Sequence, residues 1–193
     1  MDWPAISAVE VEIVIGVIAL VAAGIGFWLL NRKRRTGRLR TQFGGAEYTR
    51  AVKEGGSQQR AEAALVQRTE RVRKLAIRPL AAADRARFTE SWSKVQARFV
   101  DGPGGAVTEA DQLLGDVMST RGYPVSDFDQ RAADISVAHP LVLQNYRTAH
   151  EIAARQAQGL ANTEDLRQAM IHYRTLFQEL VGQPELASAK ATS

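Results

Sequence analysis

The stretch Ile13–Leu30, IVIGVIALVAAGIGFWLL, decides how the rest of the chain is read. It is 18 residues without a charge, long enough as a helix to cross the hydrocarbon core of a bilayer. A helix satisfies its own backbone hydrogen bonds where lipid offers none. The competing reading is a buried core helix. Against it, the run is apolar on every face, ends in Phe27–Trp28, and is followed at once by Asn31, Arg32, Lys33, Arg34 and Arg35. An interfacial aromatic followed by a basic cluster is how a membrane helix is anchored.

A cleaved signal peptide would have a basic start and a small-residue cleavage site. Here Asp2, Glu10 and Glu12 precede the run, with no Lys or Arg, and arginines follow it. The expectation is an uncleaved single-pass anchor. Basic residues flanking a span stay on the cytoplasmic side. Arg32, Lys33, Arg34, Arg35, Arg38 and Arg40 all lie after it and are the candidate contacts to lipid headgroups. The following domain is therefore expected in the cytoplasm. Ala19/Ala23 and Ala22/Gly26 have the small-xxx-small spacing that permits close helix pairing, hence a candidate homo-oligomer through this helix.

The net charge of +4 hides a gradient. Residues 1–40 carry six Lys/Arg against three Asp/Glu, residues 41–98 twelve against six, and residues 99–193 seven against twelve. A basic membrane-proximal half suits an anionic leaflet, where each well-placed cation contributes about 1 kcal/mol. The absence of cysteine excludes disulfides, thiolate chemistry and cysteine-based zinc sites.

Beyond the anchor the chain reads as helices separated by glycine and proline. Leu39/Phe43 and Tyr48/Val52 imply two short pieces broken at Gly44–Gly45. Ser57 is a predicted N-cap for a polar helix over 58–76, whose narrow apolar stripe Arg68 interrupts. Asp84 is the predicted cap of a helix carrying Phe88, Trp92, Val95 and Phe99 at helical spacing. DGPGG at 101–105 reads as a tight turn into a helix over 106–121, with Gly122 at its C-terminal end. Ser126 with Asp129 suggests a capping box opening a short helix that His139–Pro140 ends. A helix over 141–158 follows, and Asn162–Asp165 opens a last one reaching Leu180. No segment alternates as a strand would, so the predicted class is all-α. The predicted layout is a short segment 1–12, a transmembrane helix 13–30, a basic juxtamembrane region and linker 31–56, a bundle of about five or six helices over 57–182, and a mobile tail 183–193.

Several stretches together resemble a family of uncharacterised bacterial proteins. They are RTQFGGAEYTRAV, VRKLAIRPL, FTESWSKVQARFVDGPGGAVTEADQLL, VMSTRGYP, SDFDQRAADISVAHPLVLQNYRTAH and TEDLRQAMIHYRTLF, in that order and covering most of residues 39–181. Proteins of that family are short, often begin with one hydrophobic segment, and are usually labelled hypothetical or secreted. The resemblance implies a bacterial envelope protein with a helical domain, so the anchor would lie in the inner membrane. It brings no activity and no functional residue, and the secreted label conflicts with the charge-based orientation.

Chemistry-bearing patterns are sparse. His150–Glu151 and His172, with Asp134 or Glu179, lack the i, i+3 or i, i+4 ligand spacing of a helical metal site. Ser136 with His139 or His150 and Asp134 has no strand–turn–helix elbow to make it a nucleophile. DGPGG lacks the lysine and the preceding strand of a phosphate loop. The arginine-rich helix 60–78 contains no aromatic residue, which favours lipid or solvent over nucleic acid. The most unusual local chemistry surrounds the bend at 121–131, and Arg121, Tyr123, Asp127, Phe128, Arg131 and His139 form the candidate binding patch, set against an ordinary turn between two capped helices. The expected function is a membrane-anchored helical interaction or scaffolding module with a protein partner and no cofactor. An envelope-facing ligand-binding or enzymatic domain is the alternative.

Overall fold

Glycines and prolines place the helix ends, and apolar periodicity decides which faces turn inward. A computed structural model of the chain describes residues 8–124 and 126–182, without the side chains of residues 8–19 and of Leu29. The expected tail 183–193 and residues 1–7 of the expected N-terminal segment lie outside the described residues. Seven helices are present: α1 (Ala8–Gly55), α2 (Gln58–Arg73), α3 (Ala82–Arg98), α4 (Pro103–Thr120), α5 (Phe128–Ala138), α6 (Pro140–Ala157) and α7 (Thr163–Gly182). The chain is all-α, with no strand among the described residues.

The chain divides into two compact units, residues 1–41 and 42–193. In the first, the helix presents Leu20, Val21, Ile25, Phe27, Trp28 and Leu30 to the exterior, from 54% exposed at Ile25 to 75% at Leu20. The described side chains of the apolar run begin at Leu20, and among the described residues no helix is long and apolar enough to cross a membrane.

The second unit begins inside α1. Residues 42–55, grouped from sequence with the linker, bury Phe43, Glu47, Tyr48 and Ala51. The expected break occurs at Gly44, whose φ of 71° and ψ of 157° are open to glycine but strained for other residues. Gly55–Gly56 then turns the chain into α2 so tightly that a Cβ on Gly55 would lie 3.2 Å from the Ala61 nitrogen. Ser57 caps α2 as predicted, accepting from the Arg60 N–H. Residues 42–73 thus form a helical hairpin.

The main core belongs to the helices that follow. α7 packs against α3, α4 and α6, and buries Leu166, Ala169, Met170, Tyr173, Leu176, Phe177, Leu180 and Val181. The expected α3 face is correct: Phe88, Trp92 and Val95 are buried, and Trp92 stacks on Phe177 with ring centroids 4.7 Å apart. Asn162 and Asp165 exchange side-chain-to-backbone hydrogen bonds of 2.9 and 3.1 Å, a reciprocal cap that starts α7 where expected.

Three helix starts differ from the sequence reading. Asp84 lies in the first turn of α3 and pairs with Arg87, while Ala81 occupies the cap position. Asp's preference for the first turn, through the helix dipole, produces the same sequence signal as a cap. α4 begins at Pro103, so Pro103–Gly104–Gly105 is its first turn; proline at that position lacks an N–H the helix does not need. α5 is capped by Asp127, which accepts from the Gln130 N–H at 2.8 Å, and Ser126 turns instead to the Pro124 carbonyl. A carboxylate one residue later satisfies the same orphan donors as the predicted serine would.

The connection from α2 to α3 passes close beneath the end of α4. Arg78 N–H donates to the Arg121 carbonyl at 2.8 Å. Gly122, at φ 97°, lets this approach happen, because a Cβ there would sit 2.4 Å from the Ala76 carbonyl oxygen. Backbone cannot yield as a flexible side chain does. Gly122→Ala is therefore expected to destabilise the domain by about 1–3 kcal/mol, read as a lowered denaturant midpoint; an unchanged midpoint would mean that the 74–81 connection moves aside freely.

Candidate functional site

Charged residues on a helix whose neighbours are apolar must find a partner once that face is covered. Three groups of polar side chains arise this way in the second unit. Glu47, on the last turns of α1, is 6% exposed and lies between two arginines. Arg68 of α2 donates to it at 2.7 Å, and the buried Arg147 of α6 reaches both of its oxygens at 3.2 and 3.3 Å. This explains why Arg68 stands in the apolar stripe of α2. Beside it, the Tyr48 hydroxyl and the Gln58 amide both donate to Glu62, at 2.9 and 2.8 Å. Arg71, one turn beyond Arg68, pairs with the buried Asp134 of α5, which also accepts from Gln130.

The candidate patch of six residues does not assemble into one site. Arg121 is 5% exposed, and its guanidinium donates to the Leu180 carbonyl at 2.9 Å, closing the end of α7. Burial lowers its pKa, against the pull of Tyr123 and Glu179. Tyr123 is buried beside it, and burial raises its hydroxyl above the ordinary value, while Arg121 opposes the shift and Asp134 adds to it. His139 is 3% exposed at the junction of α5 and α6, with Nδ1 3.1 Å from Glu179 Oε1. Burial lowers its pKa; the contact with Glu179 opposes this, and the Arg121 charge adds to it. These three are packed together, not presented to a solute.

Phe128 and Arg131 belong to a different group. The Phe128 ring stacks on His150 with centroids 3.6 Å apart and the planes 4° from parallel. Arg131 faces Asp111 of α4 at 3.8 Å, and the same carboxylate accepts from the Tyr173 hydroxyl at 3.0 Å, with His150 Nδ1 3.8 Å away. Burial pushes the Asp111 carboxyl upward, but His150, Tyr173 and the charge of Arg131 outweigh it and hold the pKa below the ordinary value. Tyr146 and Tyr173 are both shifted upward, first by burial and then by the Asp111 charge. Asp127, the sixth residue, is the exposed cap of α5.

Two surface grooves flank these groups. One of about 680 Å³ is lined by Arg78, Leu80, Asp84, Arg85 and Thr120. The other, about 520 Å³, lies between α2 and α5 and includes Ala64, Arg68, Arg71, Asp127, Gln130 and Ala133. The most strongly shifted groups, Tyr146 and Tyr173, are fully buried and line neither. Among the described residues no three His, Asp or Glu side chains converge as a metal site would require. His150 and His172, weighed with Glu151, Asp134 and Glu179 from sequence, are not brought together: His150 faces Asp111, and His139 rather than His172 meets Glu179.

The six basic residues after the apolar run, Arg32, Lys33, Arg34, Arg35, Arg38 and Arg40, are all exposed. Arg32 folds back over the Trp28 ring, its guanidinium carbon 5.4 Å from the centroid. Sequence reading missed Glu47, Asp111 and Tyr173 as partners, and the available signal was Arg68 breaking an apolar stripe. No family model, curated protein or solved structure matches the chain.

The His139 geometry has a pH consequence. A histidine whose folded pKa is depressed must stay neutral in the native state, so the unfolded chain binds the extra proton as pH falls through the ordinary imidazole range. Its contribution to stability is complete above about 6.5 and declines below it. His139→Gln is expected to flatten the loss of stability between about pH 6.5 and 5, measured by denaturant unfolding across that range. If the wild type and the variant keep parallel profiles, His139 is not held neutral.

Proposed function

We propose that the protein is a single-pass membrane protein whose helical domain acts as a non-enzymatic interaction or scaffolding module at the inner face of a bacterial plasma membrane. The observation that carries this is a row of large apolar side chains left exposed on a helix that ends in an unbroken basic collar. Leu20, Phe27 and Leu30 are each at least 60% exposed, whereas soluble surfaces rarely leave a contiguous apolar patch of that extent uncovered. The uncharged run of 18 residues would extend about 27 Å as a helix, close to the roughly 30 Å of a bilayer core.

The arrangement of charge favours a helix that crosses over one that lies flat. A helix in the interface plane keeps its charges on one side. Arg32, Lys33, Arg34 and Arg35 are consecutive, so successive turns of about 100° distribute them around the whole helix. Such a collar meets headgroups on every side when the axis stands through the membrane. The arginine over Trp28 sits where an aromatic ring and a cation share the interfacial level. The absence of basic residues before the run, against six after it, supports a cytoplasmic domain.

Where the unusual chemistry lies favours a non-enzymatic role. Arg121, Tyr123 and His139 are each no more than 5% exposed; Arg121 and His139 reach Leu180 and Glu179 of α7, and Tyr123 packs in the core. An enzyme aims such groups at a cleft that substrate can enter. The test is topology, with a C-terminal tag exposed to protease in inverted inner-membrane vesicles and in spheroplasts. Digestion in inverted vesicles with protection in spheroplasts is expected. Digestion in spheroplasts would reverse the orientation, and release of the chain by alkaline carbonate would remove the membrane span altogether.

A further inference from the structure

The groove at the start of α3 lies within a strongly basic stretch. Between Val72 and Arg87 the chain carries Arg73, Lys74, Arg78, Arg85 and Arg87 against a single carboxylate, Asp84. Arg73 pairs with Glu70, and Arg87 with Asp84. Arg78 and Arg85 both line the groove, and among the described residues neither pairs with a carboxylate. Arg85 is only partly exposed, and its Nη2 reaches the Leu80 carbonyl at 3.4 Å. Its Nε is buried and meets no acceptor among the described residues. A buried donor without a partner is costly. A guanidinium presents its donors as a planar fork, which suits phosphate oxygens taken two at a time.

The wall that carries these side chains is fixed to the body of the domain. The Arg78 N–H donates to the Arg121 carbonyl at 2.8 Å, Ala76 lies against Gly122, and Leu80 belongs to the apolar core. Pro79 restricts the Arg78 backbone to extended conformations. The Arg78 side chain remains exposed on this held backbone. Across the groove α3 begins at Ala82, behind an Ala81 that offers no side-chain oxygen to the first turn. The leading amides of α3 therefore add positive potential at the same place. Asp84 also lines the groove, but its carboxylate is already engaged by Arg87 at 2.8 Å. A cation pair held in place before binding spends less of its interaction on ordering. The volume of about 680 Å³ exceeds what one phosphate needs and falls in the range of small-molecule sites, leaving room for the group a phosphate is attached to.

We propose that this groove binds a phosphate-bearing anion, with Arg78 and Arg85 donating to the phosphate oxygens. A forked contact from Arg85 places one of those oxygens on Nε, the donor that the folded chain leaves unused. The same chemistry is offered by a soluble phosphate ester and by a lipid headgroup. The proposal does not rest on residues 13–30 crossing a membrane.

The full chain in nonionic detergent at low salt is titrated with pyrophosphate, and binding is read from the broadening of the phosphorus resonance. Saturable binding is expected. Arg78→Gln is expected to weaken it about tenfold, the loss of one charge-assisted hydrogen bond, with an unchanged thermal midpoint because the side chain is exposed. Arg85→Lys keeps the charge but removes the fork, and is expected to weaken binding to a similar degree. Arg32→Gln, Lys33→Gln, Arg34→Gln and Arg35→Gln together are expected to leave it unchanged. Competition then separates the two sources. Displacement by phosphatidic acid dissolved in the micelles assigns the site to a lipid headgroup, and displacement by glycerol phosphate alone assigns it to a soluble ester. Absence of pyrophosphate binding overturns the proposal, as does binding that Arg78→Gln leaves unchanged.

Discussion

A carboxylate held between two guanidiniums, Glu47 with Arg68 and Arg147, sets where the second unit begins. Glu47 lies three residues beyond the helix break at Gly44, where φ is 71°. After it, Tyr48 and Ala51 are buried and α2 folds back at Gly55–Gly56. An ion pair of this kind contributes little net stability, since desolvating three charges offsets most of their attraction. What it provides is a unique register, because a slip of one residue would leave a charge buried and alone.

The body of the domain follows a different rule. α7 is the centre around which α3, α4 and α6 are laid, and its buried face is almost wholly apolar. Polar groups enter that core at two levels. Arg121, Tyr123, His139 and Glu179 close one end, where Arg121 satisfies the Leu180 carbonyl at the finish of α7. Asp111, Arg131, His150 and Tyr173 join α4, α5, α6 and α7 at another level. A helix end leaves carbonyls without partners, and a guanidinium is the side chain best able to reach them from a neighbouring helix. Burial is the first cause of the shifts at Arg121, Tyr123, His139, Tyr146 and Tyr173, whereas the partners of Asp111 outweigh burial and hold its carboxyl low.

How far the sequence carried this can be judged residue by residue. Phe88, Trp92 and Val95 declared the buried face of α3, and Asn162 with Asp165 declared the start of α7, because both signals are local and physically redundant. Asp84, Pro103 and Ser126 misplaced helix starts by one to a few residues, since Asp, Ser and Pro satisfy several N-terminal positions almost equally well. The patch at 121–131 drew attention for a sound reason, an unusual density of charge and aromatic side chains around a bend. Its members nevertheless face different neighbours, Arg121 toward Leu180 and Arg131 toward Asp111. Which way a side chain points from a turn is decided by helices far away in sequence, and 62 residues separate Tyr173 from its partner Asp111. Arg68 was the clearest missed clue, since a charge in an apolar stripe implies an opposite charge on whatever covers that stripe.

The two units divide the physics between them. The first exposes large apolar side chains and then a run of basic residues. The second packs the apolar side chains of α3 to α7 in one core, while Phe43, Ala61 and Leu65 of its leading hairpin are buried outside it and Glu47 and Arg71 pair with Arg147 and Asp134. An apolar seam tolerates many partners of similar volume, whereas a buried ionic seam accepts few, because each mismatch leaves a charge without compensation.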